Sequence, residues 1–114
     1  MFEEYQEKFL DIVRNSGNII VVEGKKDRKA LEKSGLENIF EISGKSLEKV
    51  VDIITGKKLQ IIILTDYDKE GIKQYKRLKS LLRPTEIKIN DNIRRKFKRI
   101  FKVNKIEELN SYFK

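Results

Sequence analysis

The chain has 114 residues, 39% of them apolar, a formal charge of +8 and a pI near 9.6, with neither cysteine nor histidine. A single domain over residues 1–114 is the expectation, without room for a second catalytic domain. The missing residue types exclude disulfides, thiolate metal sites and imidazole as base or ligand, so any chemistry must run on carboxylates and lysines.

The longest apolar runs, Ile19 to Val22 and Ile61 to Leu64, are too short to span a bilayer, and the chain opens on acidic residues rather than a signal peptide. The expectation is a cytoplasmic protein with no membrane partner. Its positive surplus points to a polyanion, and nucleic acid is the commonest one a small protein meets.

From the N-terminus, Phe2, Tyr5, Phe9, Ile12 and Val13 fall at helical spacing, and Ser16-Gly17-Asn18 stops the pattern, giving an N-terminal helix within residues 1–17. "NIIVVEG" is a β-branched run ending in glycine, the pattern of a strand buried on both faces, and "DRKALEKSG" follows as a helix with a glycine stop. "NIFEIS" reads as a second strand. Ser46 then caps a helix with Leu47, Val50, Val51 and Ile54 on one face, ending at Gly56. "LQIIILT" is a third strand, followed by a helix with Ile72, Tyr75, Leu78 and Leu82 inward and a stop at Arg83-Pro84. "TEIKI" reads as a fourth strand. "DNIRRKFKRIF" suits a helix with Ile93, Phe97, Ile100 and Phe101 inward, although Phe97, Phe101 and Val103 alternating with lysines also fits a strand; "IEELNSYF" is helical.

Strands alternating with helices predict a doubly wound α/β fold: a mainly parallel four-stranded sheet of order 2-1-3-4 with helices on both faces. Ligands of such sheets bind beyond the carboxyl ends of the strands, where the winding reverses, here between the first and third strands. Those ends carry Glu23 and Asp66, with Asp68 and Glu70 in the segment that follows the third strand. Crowded carboxylates repel one another, and a divalent cation is the natural compensation in a chain without histidine. All-oxygen ligation suits Mg2+ or Mn2+, and magnesium usually shares its shell with substrate phosphates. Lys25, Lys26, Lys45 and Lys69 surround the acids as phosphate contacts, and turn glycines Gly24, Gly44 and Gly71 let backbone approach a ligand. An aspartate pair after a buried strand also serves as an ordinary loop and helix cap. "EGK" lacks the spacing of a nucleotide-binding phosphate loop.

Together, "VVEGKKDRKAL" and "ILTDYDKEG" resemble the two signature motifs of the Toprim domain, in the right order and on the right elements. Toprim domains occur in bacterial-type primases, type IA and type II topoisomerases, ribonucleases that mature ribosomal RNA, and small stand-alone proteins. The resemblance implies a Rossmann-like core over residues 19–90, followed by a basic extension over residues 91–114. It implies that Glu23 is a general acid or base or a metal ligand, and that Asp66 and Asp68 bind magnesium. Glu70-Gly71 looks like the type IA topoisomerase version of the motif, with a third acid assisting the metal. Ser43-Gly44 stands where the family often has a small residue and glycine.

The separate tyrosine-bearing domain of a topoisomerase and the zinc module of a primase do not fit in this length, and neither Tyr67 nor Tyr75 reads as a substitute nucleophile. A phosphoacceptor receiver domain would want its acid pair after the first strand, not the third. The reading is therefore a magnesium-dependent phosphoryl-transfer protein acting on RNA or DNA, a small nuclease that hydrolyses phosphodiesters with water. The alternative is a non-catalytic nucleic-acid-binding subunit whose protein partner supplies further domains. From Arg94 to Lys105 seven basic residues occur without an acid, and Arg94, Arg95, Lys98 and Arg99 are the expected backbone contacts.

Overall fold

A computed structural model describes residues 1–57 and 59–113, leaving Lys58 and Lys114 outside the description. In chain order the elements are α1 (Glu4–Asn15), β1 (Ile19–Val22), α2 (Lys25–Lys33), β2 (Ile39–Glu41), α3 (Leu47–Thr55), β3 (Ile61–Ile63), α4 (Lys69–Leu82), α5 (Asp91–Phe101) and a C-terminal 3-10 helix (Ile106–Phe113). The sheet has three parallel strands in the order β2-β1-β3.

Alternation along the strands divides the interior in two. Ile20 and Val22 of β1, with Ile62 of β3 and the adjoining Leu64, face a cluster shared with α1, α2, α5 and the 3-10 helix. Ile19, Val21, Ile61 and Ile63 face the opposite cluster, closed by Val50 and Ile54 of α3 and Leu78 and Leu82 of α4. The central strand is therefore apolar at every position, because both of its faces are covered. Phe9, Phe97 and Phe101 interlock on the first face, with ring centroids 4.8 Å apart for Phe97 and Phe101 and 6.2 Å for Phe9 and Phe97. This ties both ends of the chain to the sheet. Among the described residues no helix is long and apolar enough to cross a membrane.

Three sequence expectations need correction. The fourth strand is reduced to one parallel bridge between Ile61 and Ile89, in which Ile61 N–H donates to Lys88 O and Asn90 N–H to Ile61 O. The segment between α4 and α5 is consumed by its ends. The Thr85 hydroxyl donates to Leu82 O and accepts from Ile87 N–H, and the Asn90 side chain accepts from Ile93 N–H as the cap of α5. On α1, Tyr5 and Ile12 are exposed, at 57% and 61%, while Gln6 and Leu10 are buried. The inward face is thus rotated: Gln6 reaches the Tyr112 hydroxyl and Ile100 O, giving a polar side chain a satisfied buried place. Ile72 is 38% exposed rather than inward. Residues 91–101 form a helix, ended by Lys102 in the left-handed region at φ 54°.

Candidate metal centre

At the carboxyl ends of β1 and β3, one carboxylate oxygen each from Glu23, Asp27 and Asp66 lies within 4.8 Å of the others. Local structure brings them there. Glu23 is the residue after β1, and Gly24 caps α2 in an extended conformation. Asp27, one helical turn beyond Glu23, turns back and accepts the Gly24 N–H at 3.1 Å. The buried Asp66 follows β3 by three residues, and its Oδ1 accepts the Ile106 N–H at 2.9 Å, fastening the 3-10 helix to the cluster.

Gly71 sets the shape of the β3–α4 connection. A Cβ on it would lie 2.1 Å from Asp66 O, so only glycine lets the first turn of α4 close onto that backbone. Thr65 Oγ1 donates to Gly71 O at 2.7 Å, and Asp68 Oδ1 accepts Gly71 N–H at 2.8 Å as the cap of α4. Gly24 meets nothing within 4 Å of its would-be Cβ. Gly44 sits at φ 80°, in the left-handed region, likewise facing open space.

The electrostatics report the crowding. Burial pushes the Glu23 carboxyl up to about 8, reinforced by hydrogen bonding to Asp66 and by the charges of Asp66, Asp27 and Asp68. Burial and the Asp66 charge raise Asp27 to about 6, against the Gly24 hydrogen bond and the field of Lys105. The donor set fits a hard divalent cation: three carboxylates and no nitrogen or sulfur ligand. Their mutual repulsion is what such an ion relieves.

Of the expected metal residues, the fold brings Glu23 and Asp66 together. Asp68 stands beside them, close enough for its charge to act on Glu23, with one oxygen engaged as a helix cap. Glu70 is exposed in the first turn of α4 and lies outside the three-carboxylate cluster. Asp27 was missed. Its signal was available in "EGKKD": an acid one turn into a helix that begins just past Glu23 lies on the side of that strand end.

Lys25, Lys26, Lys45 and Lys69 are all exposed, and the Lys45 ammonium lies 5.6 Å from the Phe40 ring centroid. Arg95, Lys98 and Arg99 are exposed on α5. Arg94 is a correction. It is 5% exposed and donates to the carbonyls of Ile63, Thr65 and Asp66 at 3.0, 2.8 and 3.2 Å. Its guanidinium is 4.5 and 4.4 Å from the Tyr67 and Tyr75 ring centroids. It acts as an internal brace for the acid-bearing loop, because carbonyls left open at the end of a short strand need buried donors. Tyr67 packs against α5 and the first core cluster, its hydroxyl donating to Arg94 O at 2.8 Å.

The chain has relatives in sequence and in fold. The chain is 34% identical over 99 residues to a UPF0292 protein of Methanocaldococcus jannaschii, covering 81% of this chain and 77% of that one. It is 33% identical over 106 residues to a UPF0292 protein of Thermococcus sibiricus, covering 90% and 83%. A solved structure described as a putative protein from Aquifex aeolicus matches with a TM-score of 0.81 at 30% identity, over 93% of this chain and 99% of that one. The family model for the Toprim domain matches residues 18–101, a span that holds Glu23, Asp27, Asp66 and Asp68, and the chain belongs to the Toprim domain family.

Proposed function

We propose that the protein is a divalent-cation-dependent phosphodiesterase acting on nucleic acid. The observation that carries this reading is the convergence of Glu23, Asp27 and Asp66 at the strand ends, beside exposed cations. Toprim domains bind divalent metal through acidic residues, and here Asp66 and Glu23, with Asp27 and Asp68 beside them, would hold magnesium or manganese. Such an ion supplies Lewis-acid polarisation of a phosphate and neutralises developing negative charge.

The remaining work falls to the chain. Glu23, the residue after β1 at the edge of the cluster, stands where a carboxyl can activate water or protonate a leaving oxygen. Asp66 is oriented through the Ile106 N–H, and its loop is braced by Arg94. Asp27 fixes the Glu23-Gly24 turn. Lys25, Lys26, Lys45 and Lys69 are free to meet substrate phosphates, while Arg95, Lys98 and Arg99 extend the cationic surface along α5.

The test is incubation of purified protein with single-stranded, duplex and structured RNA and DNA, in magnesium or manganese and in chelator. Cleavage that requires the ion and disappears in Asp66→Asn is expected. Metal-independent cleavage, or none on any substrate, would overturn the nuclease reading; binding retained without cleavage would favour a nucleic-acid-binding subunit that works with a partner.

A further inference from the structure

Between α4 and α5, next to the loop that carries Asp66 and Asp68, lies a cleft of about 500 Å3, within the range of roughly 300–1,000 Å3 typical of ligand sites. Its apolar wall is formed by Tyr67, Ile72 and Tyr75, and its cations are the buried Arg94 and the exposed Arg95, Lys98 and Arg99. Ile72 is a large aliphatic side chain left 38% exposed on a helix whose neighbouring inward positions, Leu78 and Leu82, are fully covered. The tyrosines are held in place: Arg94 lies against both rings, Tyr67 donates to Arg94 O, and Tyr75 donates to Asp91.

Charge decides what fits. Asp91 is the one acid among the lining residues, and it is already engaged by the Lys79 ammonium and the Tyr75 hydroxyl. Lys98 donates to Asn104 Oδ1 and Val103 O and lies 5.0 Å from the Tyr67 ring centroid, with no acid paired to it among the described residues. Arg95 and Arg99 form no ion pair among the described residues. The rings of Tyr67 and Tyr75 already carry Arg94, Lys98 and Lys79 against them, so the open apolar surface is Ile72 with the tyrosine edges. An apolar spot rimmed by cations matches a nucleobase attached to its phosphates.

We infer that this cleft receives one unpaired nucleobase, and that the substrate is single-stranded or locally unpaired nucleic acid whose backbone runs on from the cleft to the carboxylates. The inference rests on the nucleic-acid reading above and adds the strand's state. A base paired in a duplex has both faces stacked and cannot enter, so duplex meets only the cationic rim. An extruded base covers Ile72 and the tyrosine edges, while its flanking phosphates meet Arg95 and Arg99. The pocket wall and the acid-bearing loop are one braced unit, because Arg94 contacts both tyrosines and the Asp66 carbonyl.

The experiment measures binding of labelled ten-nucleotide phosphorothioate strands, of RNA and of DNA, and of matching duplexes. These strands keep the backbone charge and resist hydrolysis, so magnesium can be present throughout. Wild type should prefer single strands over duplex. Ile72→Asn should weaken single-strand binding roughly tenfold and leave duplex binding unchanged, since the base loses the aliphatic surface it covers. Ile72→Phe should retain or tighten single-strand binding. Paired Arg95→Gln and Arg99→Gln should weaken both forms and flatten the salt dependence by roughly one slope unit per lost phosphate contact. The partial exposure of Ile72 lets both variants fold, which melting curves verify.

Equal affinity of wild type for both forms, or Ile72→Asn matching wild type on single strands, overturns the inference. If the arginine pair still weakens binding in that case, the nucleic-acid reading stands without the base cleft. Wild type that binds neither form overturns both.

Discussion

Asp91 at the start of α5 and Glu23 at the end of β1 are both half-buried carboxylates, and their surroundings act on them in opposite directions. Burial alone would raise Asp91, yet hydrogen bonds from the Lys79 ammonium and the Tyr75 hydroxyl, with the fields of Lys79 and Arg95, hold it below its ordinary value. Burial raises Glu23 as well, but its close neighbours are the acids Asp66, Asp27 and Asp68, and the carboxyl goes up to about 8. One site completes its own charge and needs nothing further. The other gathers like charge that folding alone would avoid, and such a gathering is characteristic of a binding centre.

That contrast is tested most strongly by removing one charge from each side. Glu23→Gln should lower metal-dependent turnover by roughly two to four powers of ten while leaving substrate affinity in place, as expected for loss of a proton-transfer group. At neutral pH it should also melt higher than wild type, because folding no longer requires a carboxyl that is ionised in the unfolded chain to take up a proton. Asp91→Asn should melt lower, because Lys79 and Tyr75 lose their acceptor. Single-turnover cleavage and calorimetry check both; a Glu23→Gln protein that cleaves at the wild-type rate removes Glu23 from the reaction.

Next in size is the backbone beneath the acids. Gly71→Ala places a methyl against Asp66 O and should cost about 1–3 kcal/mol by urea unfolding, whereas Gly24→Ala meets no neighbouring atom and should cost distinctly less. Equal losses would mean that α4 moves away freely and that Gly71 does not fix the site. Magnesium or manganese at tenfold its Kd should then stabilise wild type by about 1.4 kcal/mol, and Asp66→Asn should lose the effect. Equal metal-induced melting shifts in both proteins would place the ion elsewhere.

The sequence disclosed what is local or periodic. Four-residue apolar β1, the Ser46 cap and the meeting of Glu23 with Asp66 follow from strand patterning, cap chemistry and the rule that ligands gather at the carboxyl ends of parallel strands, whereas Asp68, expected on the metal, also caps α4. What it hid depends on partners far along the chain. Arg94 reads as one more cation in a basic run, and only the fold shows it inserted between two tyrosines and bonded to carbonyls 28 to 31 residues away. The Ile106 N–H that holds Asp66 comes from 40 residues away and leaves no trace in side-chain pattern. Gln6 hid for a related reason: a polar residue is read as surface until its buried acceptor is known. The fourth strand failed on space, since two helix ends compete for the same few residues.

The smallest effect, and the one that separates the two carboxylates most directly, is pH dependence. Glu23 titrates near 8 in the folded chain against an ordinary value of 4.5, so between those limits the folded state holds more protons than the unfolded one. Its contribution to stability is full below pH 4.5 and is lost as pH rises through about 8. Asp27 acts the same way from 3.8 to about 6. Asp91 has the opposite sign: its contribution is present above 3.8 and is lost as pH falls through its lower folded value. In chelator, wild type should therefore melt progressively lower from pH 5 to 8. Glu23→Gln should flatten the upper part of that decline, and saturating magnesium should flatten it too, because the ion favours the deprotonated acids. Asp91→Asn should keep the decline, run below wild type above pH 4, and approach it in more acidic solution. Melting curves from pH 3 to 9 decide: parallel profiles for wild type and Glu23→Gln would show that the acids at the strand ends do not share a charge problem, and the contrast with Asp91 would collapse.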